Sequence, residues 1–113
     1  MNIQINTDDH IQGREDVADS VRVLVETALL RYRDQITRVE VHLGDENADK
    51  SGQRDKRCLV EARLEGRQPV TATALAATVS QAVQEASDKL SRLIESQLGR
   101  LASARRTPPP AEV

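Results

Sequence analysis

The chain has 113 residues, of which 30% are charged, and a formal net charge of −2. This length favours a single domain, and its core must be aliphatic because Tyr32 is the only aromatic residue. The charge balance excludes a uniformly basic surface, so a nucleic-acid contact would need its positive charge gathered on one face.

The cysteine count and the amino-terminal residues indicate which cellular class of protein this is. The single cysteine, Cys58, excludes an internal disulfide framework, and its alternating apolar neighbours predict a buried thiol that acts as a small hydrophobic residue. Met1 is followed by neither a basic segment nor a long apolar stretch. This argues against a signal peptide and a membrane span, and it makes the cytoplasm the expected location.

The first predicted elements are a strand and an amphipathic helix. Ile3 and Ile5 alternate with polar residues, which predicts a strand with one buried face. Gly13, Glu15 and Asp16 mark a helix start, because the helix dipole favours acids in the first turn. The apolar stripe of this helix has spacings of three and four and comprises Val17, Val21, Leu24, Val25, Ala28, Leu29 and Tyr32.

Val23 and Leu30 fall on the opposite side of that helix. One interpretation is that they are scattered surface residues, which are common. The other is that they contact a protein partner. The sequence leaves both interpretations open.

Three further strands follow, each with one apolar face. The second runs from Ile36 to Leu43, and the third alternates apolar and charged residues up to Leu64. The sequence Glu65-Gly66-Arg67 predicts a tight hairpin to a fourth strand, which Pro69 opens. The polar face of the second and third strands carries Arg38, Glu40, His42, Arg57, Glu61 and Arg63.

A second, longer helix ends the predicted domain. Thr78 and Gln81 have the spacing of a capping box. Gly99 is the expected helix end, with a domain over 1–101 and a disordered, proline-containing tail over 102–113. The predicted apolar stripe comprises Val79, Ala82, Val83, Ala86, Leu90, Leu93, Ile94 and Leu101.

These elements predict an α+β fold in the order β-α-β-β-β-α. Each strand has one apolar face and each helix one apolar stripe, so the simplest arrangement packs both helices on one face of a four-stranded sheet. The other face of the sheet is then polar and open.

The chain lacks the residue patterns of catalysis and of metal or cofactor binding. Asp45, Asn47 and Asp49 resemble the start of a calcium loop, but Lys50 and Lys56 occupy the positions of its glycine and its glutamate. His10 and His42 have no further ligand at metal-binding spacing, and there is no phosphate loop or nucleophile elbow. We therefore expect no enzyme activity, no metal, no cofactor and no small-molecule substrate.

Basic residues on the second helix form a cationic stripe, which we define as Lys89, Arg92 and Arg100. They fall within about 80° at the helical period and could follow a phosphate backbone. The alternative is ordinary helix ion pairs, because Glu85 precedes Lys89 by four residues and Asp88 precedes Arg92 by four. Spacing alone does not decide between them.

Three segments in order resemble the ribosome hibernation-promoting factor family, also called ribosome-associated inhibitors or sigma-factor modulation proteins. They are Met1–Ile5, Ile36–Leu43 and Ala82–Leu90, the last ending in Asp-Lys-Leu. The resemblance extends from Met1 to about Leu101. It implies a layout similar to that of double-stranded RNA-binding domains.

The resemblance also implies a function. Such a protein binds the small ribosomal subunit in the channel of messenger and transfer RNA, and it blocks translation during starvation or stationary phase. Helix-borne cations would meet ribosomal RNA phosphates, which assigns that contact to Lys89, Arg92 and Arg100, together with Arg22 on the first helix.

The chain departs from the family pattern in two ways. Its second helix interleaves Glu85, Asp88 and Glu95 among fewer bases, and its Gly44–Lys56 connection is longer and more acidic. It also resembles the short forms, which lack a C-terminal dimerisation domain and are not expected to pair ribosomes alone. The net negative charge and the pair Val23 and Leu30 keep open an alternative function, a protein-interaction module of the same fold that does not bind ribosomes.

Overall fold

The computed structural model describes residues 1–8, 14–45 and 56–105, excluding the side chains of residues 14–15 and 100–105. Its elements confirm the predicted order β-α-β-β-β-α. They are β1 (Asn2–Thr7), α1 (Arg14–Leu29), a 3-10 turn (Leu30–Tyr32), β2 (Ile36–Asp45), β3 (Lys56–Leu64), β4 (Val70–Ala76) and α2 (Val79–Arg105).

The four strands form one mixed sheet in the order β1-β2-β3-β4. β1 and β2 run parallel, with Ile3 opposite Val39, and α1 supplies the crossover that a parallel pair requires. β2, β3 and β4 pair antiparallel, with Val41 opposite Val60 and Val60 opposite Ala72. β1 and β4 are therefore the two edges of the sheet.

Both helices cover the same face of this sheet, as predicted. α1 contacts β1, α2 lies over β3 and β4, and the two helices contact each other. The strands bury alternate residues because successive side chains point to opposite faces. The buried strand residues are Ile3, Ile36, Val39, Val41, Leu43, Cys58, Val60, Ala62, Leu64, Val70, Ala72, Ala74 and Ala76.

Local turn chemistry fixes the path from β3 to α2. Gly66 has a φ of 69°, the left-handed region that glycine tolerates best, and Arg67 N donates to Leu64 O at 3.1 Å. Farther along, Gln81 N donates to Thr78 Oγ1 at 3.1 Å, so Thr78 caps α2 and supplies one half of the predicted capping box. These contacts set where β4 and α2 begin.

The second helix differs from its predicted end. It continues through Gly99 to Arg105 and so includes the first four residues of the expected tail, while residues 106–113 lie outside the described part. One glycine costs a helix only about 1 kcal/mol relative to alanine. Arg100, Leu101 and Ala102 are strong helix formers, and they offset that cost.

The buried side of α2 also differs from prediction at two positions. Leu93, expected in the apolar stripe, is 44% exposed, whereas Ser87 is fully buried between Val83 and Leu90. Ser87 is four residues from Val83 and three from Leu90, so it shares their face. Leu93 lies toward the exposed edge of the stripe.

Candidate nucleic-acid interface

Lys89 and Arg92 lie where α2 overhangs the edge strand β4. Leu90 and Ile94 are fully buried, and this fixes the rotation of the helix about its axis. With that rotation, Lys89 and Arg92 reach the rim and line a shallow groove with Ala72, Thr73 and Leu93. The structure therefore brings two members of the cationic stripe together.

The ammonium of Lys89 is held by the backbone. Its Nζ donates to Thr73 O, a carbonyl of edge strand β4, at 3.0 Å. An ammonium has three donors, so further hydrogen bonds remain open to it. Thr73 was missed by sequence reasoning, because the contact of a backbone carbonyl with a distant helix depends on packing and leaves no residue pattern.

The side chain of Arg92 has no ion pair or hydrogen bond to the residues that the structure describes. The acid expected to pair with it, Asp88, accepts a hydrogen bond from Gln84 Nε2 at 3.0 Å instead. Arg92 is exposed and therefore open to an anionic partner.

Arg100 continues the stripe along the helix axis. Its backbone is helical and lies about 16 Å beyond Lys89, at the helical rise per residue. Its side chain lies outside the described part, so its assignment to the interface stays a prediction.

Arg22 lies at the opposite side of the molecule from Lys89 and Arg92. Its guanidinium donates to Ile3 O, a carbonyl of edge strand β1, at 3.3 Å. The sheet order places β1 and β4 three strand spacings apart, or about 14 Å. The structure does not bring Arg22 together with the cationic stripe.

Both edges of the sheet thus carry a cation from the helix above them. Arg22 bonds a carbonyl of β1, and Lys89 bonds a carbonyl of β4. Cationic side chains over an edge strand discourage pairing with another strand. Because each bonds a strand carbonyl, the sheet backbone also positions these two cations.

The open face of the sheet carries charge of both signs. Arg38 donates to Gln4 Oε1 at 2.6 Å and lies 2.9 Å from Glu40 Oε2, while His42 Nε2 lies 3.5 Å from Glu40 Oε1. Across the strands, Arg38 faces Arg63 and Glu40 faces Glu61. This face offers RNA no uniformly positive field.

Val23 on α1 and Leu30, the first residue of the 3-10 turn after it, form an exposed apolar pair. Val23 is 61% exposed and Leu30 is 51% exposed, the two highest values for large apolar residues in the described part of the chain. Their exposure leaves the predicted partner contact sterically open.

Burial sets the chemistry of the Cys58 thiol. Burial raises the pKa of the Cys58 thiol to about 12, so it stays protonated and unreactive near neutral pH. No three His, Cys, Asp or Glu side chains within the described ranges could hold a metal ion together. Of the calcium-loop candidates, Asn47 and Asp49 lie outside those ranges, as does His10. Neither described helix has the length and apolar character needed to cross a bilayer.

Comparisons with known proteins give a family and a fold. The family model for Sigma 54 modulation protein / S30EA ribosomal protein matches residues 9–102. The Protein Y N-terminal domain of Thermus thermophilus is 20% identical with a TM-score of 0.61, covering 85% of this chain and 98% of that one. A ribosomal subunit interface protein from Coxiella burnetii is 21% identical with a TM-score of 0.55, covering 91% of this chain and 99% of that one. At these identities the two structures establish the shared fold, and no curated protein matched the sequence.

Proposed function

Because this chain belongs to the Sigma 54 modulation protein / S30EA ribosomal protein family, we propose that it is a non-enzymatic ribosome-binding protein. It occupies the messenger and transfer RNA channel of the small subunit in the cytoplasm. Occupancy of that channel inhibits translation or promotes hibernation under stress. One of its structural neighbours is described as a ribosomal subunit interface protein, which supports the proposal.

The observation that carries this proposal is the state of the cationic stripe. Lys89 is bonded to a carbonyl, and the described residues give Arg92 no acid partner. A stripe neutralised by Glu85 and Asp88 would have little attraction for phosphate. Lys89 and Arg92 therefore keep their attraction for phosphate, although the net charge of the chain is −2.

The mechanism is steric and electrostatic. Each cation that meets a phosphate releases condensed counterions and contributes about 0.7–0.9 to the dependence of log affinity on log salt. The cationic stripe holds one helix against RNA, and the two-layer domain behind it fills the space that a tRNA would need. No covalent step is involved.

Sedimentation tests this function directly. Lysate from stationary-phase cells is run on a sucrose gradient at low salt, and the fractions are probed for this protein. We expect it to migrate with small subunits or whole ribosomes and to leave them when salt is raised. A protein that stays at the top of the gradient at low salt contradicts the proposal.

A second candidate function is a protein-interaction module of the same fold that does not bind ribosomes. The exposed pair Val23 and Leu30 and the net negative charge favour it. The two candidates separate in a pull-down with the full chain. Recovery of a protein partner without ribosomal RNA supports the second, and recovery of ribosomal RNA supports the first.

A further inference from the structure

The outer side of α1, together with the start of the 3-10 turn that follows it, combines apolar and acidic residues. We call it the α1 ridge and define it as Asp16, Asp19, Val23, Glu26 and Leu30. All five are exposed. At 100° per residue Asp16, Asp19 and Glu26 lie within about 60° of Val23, so they share one side of the helix. Leu30 directly follows the last residue of α1 and extends this side.

Two bases near the ridge, Arg22 and Arg31, have contacts outside it. Arg22 is bonded to Ile3 O on β1, and the guanidinium of Arg31 lies 5.3 Å from the centre of the Tyr32 ring. Asp16, Asp19 and Glu26 make no ion pair with the described part of the chain. The ridge therefore presents three carboxylates around two apolar side chains.

This combination selects among partners. RNA phosphates and an anionic membrane surface are repelled by the carboxylates. A second copy of the chain docked ridge to ridge would place acid against acid, which is also unfavourable. A basic protein segment with apolar side chains satisfies both features of the ridge, because it pairs the acids and covers Val23 and Leu30.

We propose that the α1 ridge docks a basic protein segment carrying two apolar residues. Val23 and Leu30 are two helical turns apart, or about 10 Å along the axis. Two apolar residues spaced by seven in a partner helix, or by three in an extended segment, match that distance. The inference rests on the proposed function, because the ribosome that binds the cationic stripe supplies this segment from one of its proteins.

The ridge and the stripe then have different partners on one particle. Lys89 and Arg92 of the cationic stripe overhang β4 and meet RNA, while the α1 ridge, beside β1, meets protein. The acids disfavour the inverted orientation, with the ridge against RNA. The ridge thus contributes to orientation as well as to affinity.

Site-specific photo-crosslinking on purified ribosomes tests the inference. One full-length variant carries a photoreactive amino acid at Thr27, an exposed position beside the ridge, and a second carries it at Leu93, beside the stripe. Crosslinked peptides and nucleotides are identified by mass spectrometry. We expect Thr27 to crosslink to a basic segment of a ribosomal protein and Leu93 to crosslink to ribosomal RNA.

A ridge variant sharpens the result. Val23→Ser with Leu30→Ser should lower the Thr27 crosslink about fivefold or more and leave the RNA crosslink from Leu93 in place. The control is His42→Ser with Thr71→Ser, a double serine change at two exposed positions on the open sheet face, and it should leave both crosslinks unchanged. Both changes are at exposed positions, and circular dichroism checks that the fold is retained.

The outcomes separate the two proposals. An RNA crosslink from Leu93 together with RNA, a second copy or no product from Thr27 overturns the ridge inference and leaves the proposed function standing. Insensitivity of the Thr27 product to the double serine change overturns it too. Failure of every variant and of the wild type to bind ribosomes defeats the proposed function, and the inference with it.

Discussion

At the scale of single residues, burial controls the chemistry of Cys58. Its side chain is fully buried, and burial raises the pKa of the thiol from its ordinary value of 9.0 to about 12. The thiolate is the reactive form of cysteine, so the native protein should resist alkylation. We expect iodoacetamide at pH 8 to modify the unfolded chain readily and the native chain only as fast as it unfolds.

The same shift predicts a loss of stability at alkaline pH. Above pH 9.0 the unfolded chain releases the Cys58 proton while the folded chain keeps it. The contribution of Cys58 to the free energy of unfolding is therefore complete below pH 9.0 and is lost as the pH rises toward 12. Cys58→Ala removes this contribution. Urea unfolding of both proteins at pH 8 and pH 10.5 should show a larger alkaline loss for the wild type, and equal losses would contradict the assignment.

Ser87 is a polar residue in an apolar position. It is fully buried, and its Oγ has no hydrogen-bond partner among the described residues. An unsatisfied buried hydroxyl costs about 1–3 kcal/mol. Ser87→Ala should therefore leave stability unchanged or raise it by about 1 kcal/mol in urea unfolding, and a clear loss would show that the hydroxyl is bonded.

Ser87 and Leu93 show what could be predicted at this scale. The spacing of Val83, Ser87 and Leu90 places Ser87 on the buried face. Its burial could therefore be predicted from position, although a polar side chain is not expected in a core. Leu93 sits at the margin of the same stripe, where only the packing of α2 on β4 decides its exposure. Periodicity locates a face, but tertiary contact sets its limits.

At the scale of elements, the buried residues of α2 stabilise its packing on the sheet, and the exposed ones contribute little. Leu90 is fully buried and Leu93 is 44% exposed, three residues apart on the same helix. Leu90→Ala should lower the free energy of unfolding by about 2–5 kcal/mol, because it leaves a cavity in the core. Leu93→Ala, the matched control, should change it by less than about 0.5 kcal/mol in the same urea titration.

The amino-terminal cap of α2 gives a second test at this scale. Thr78 Oγ1 accepts the hydrogen bond of Gln81 N at 3.1 Å. Thr78→Ala should cost about 1 kcal/mol of stability, and Thr78→Ser should retain most of it because serine supplies the same acceptor. Equal effects of the two substitutions in thermal unfolding would contradict a capping role.

The order and bounds of the elements were largely predictable, and the exceptions have local causes. Alternation of apolar and polar residues predicts the strands, and the Gly66 turn predicts the hairpin between β3 and β4. The end of α2 was not predictable from Gly99, because a single glycine is outweighed by the helix formers that follow it. The parallel pairing of β1 with β2 depends on the path of α1, which no short pattern encodes.

At the scale of the whole molecule, charge is distributed unevenly although its sum is small. Lys89 and Arg92 of the cationic stripe overhang β4, the open sheet face carries both signs, and the α1 ridge is acidic. The sequence identified Lys89 and Arg92 as neighbours because helical spacing is readable. The bond from Lys89 to Thr73 O and the separation of Arg22 from Lys89 and Arg92 depend on the sheet order, which the residue pattern of either helix does not contain.

The central claim is that Lys89 and Arg92 meet RNA phosphates. Its most direct test is the salt dependence of ribosome affinity for the wild type and for Lys89→Gln with Arg92→Gln. Loss of two phosphate contacts should weaken binding at low salt and reduce the slope of log affinity against log salt by about 1.4–1.8. Arg33→Gln with Arg63→Gln removes the same charge elsewhere and should leave the slope near that of the wild type. An unchanged slope for the Lys89 and Arg92 variant would contradict the claim.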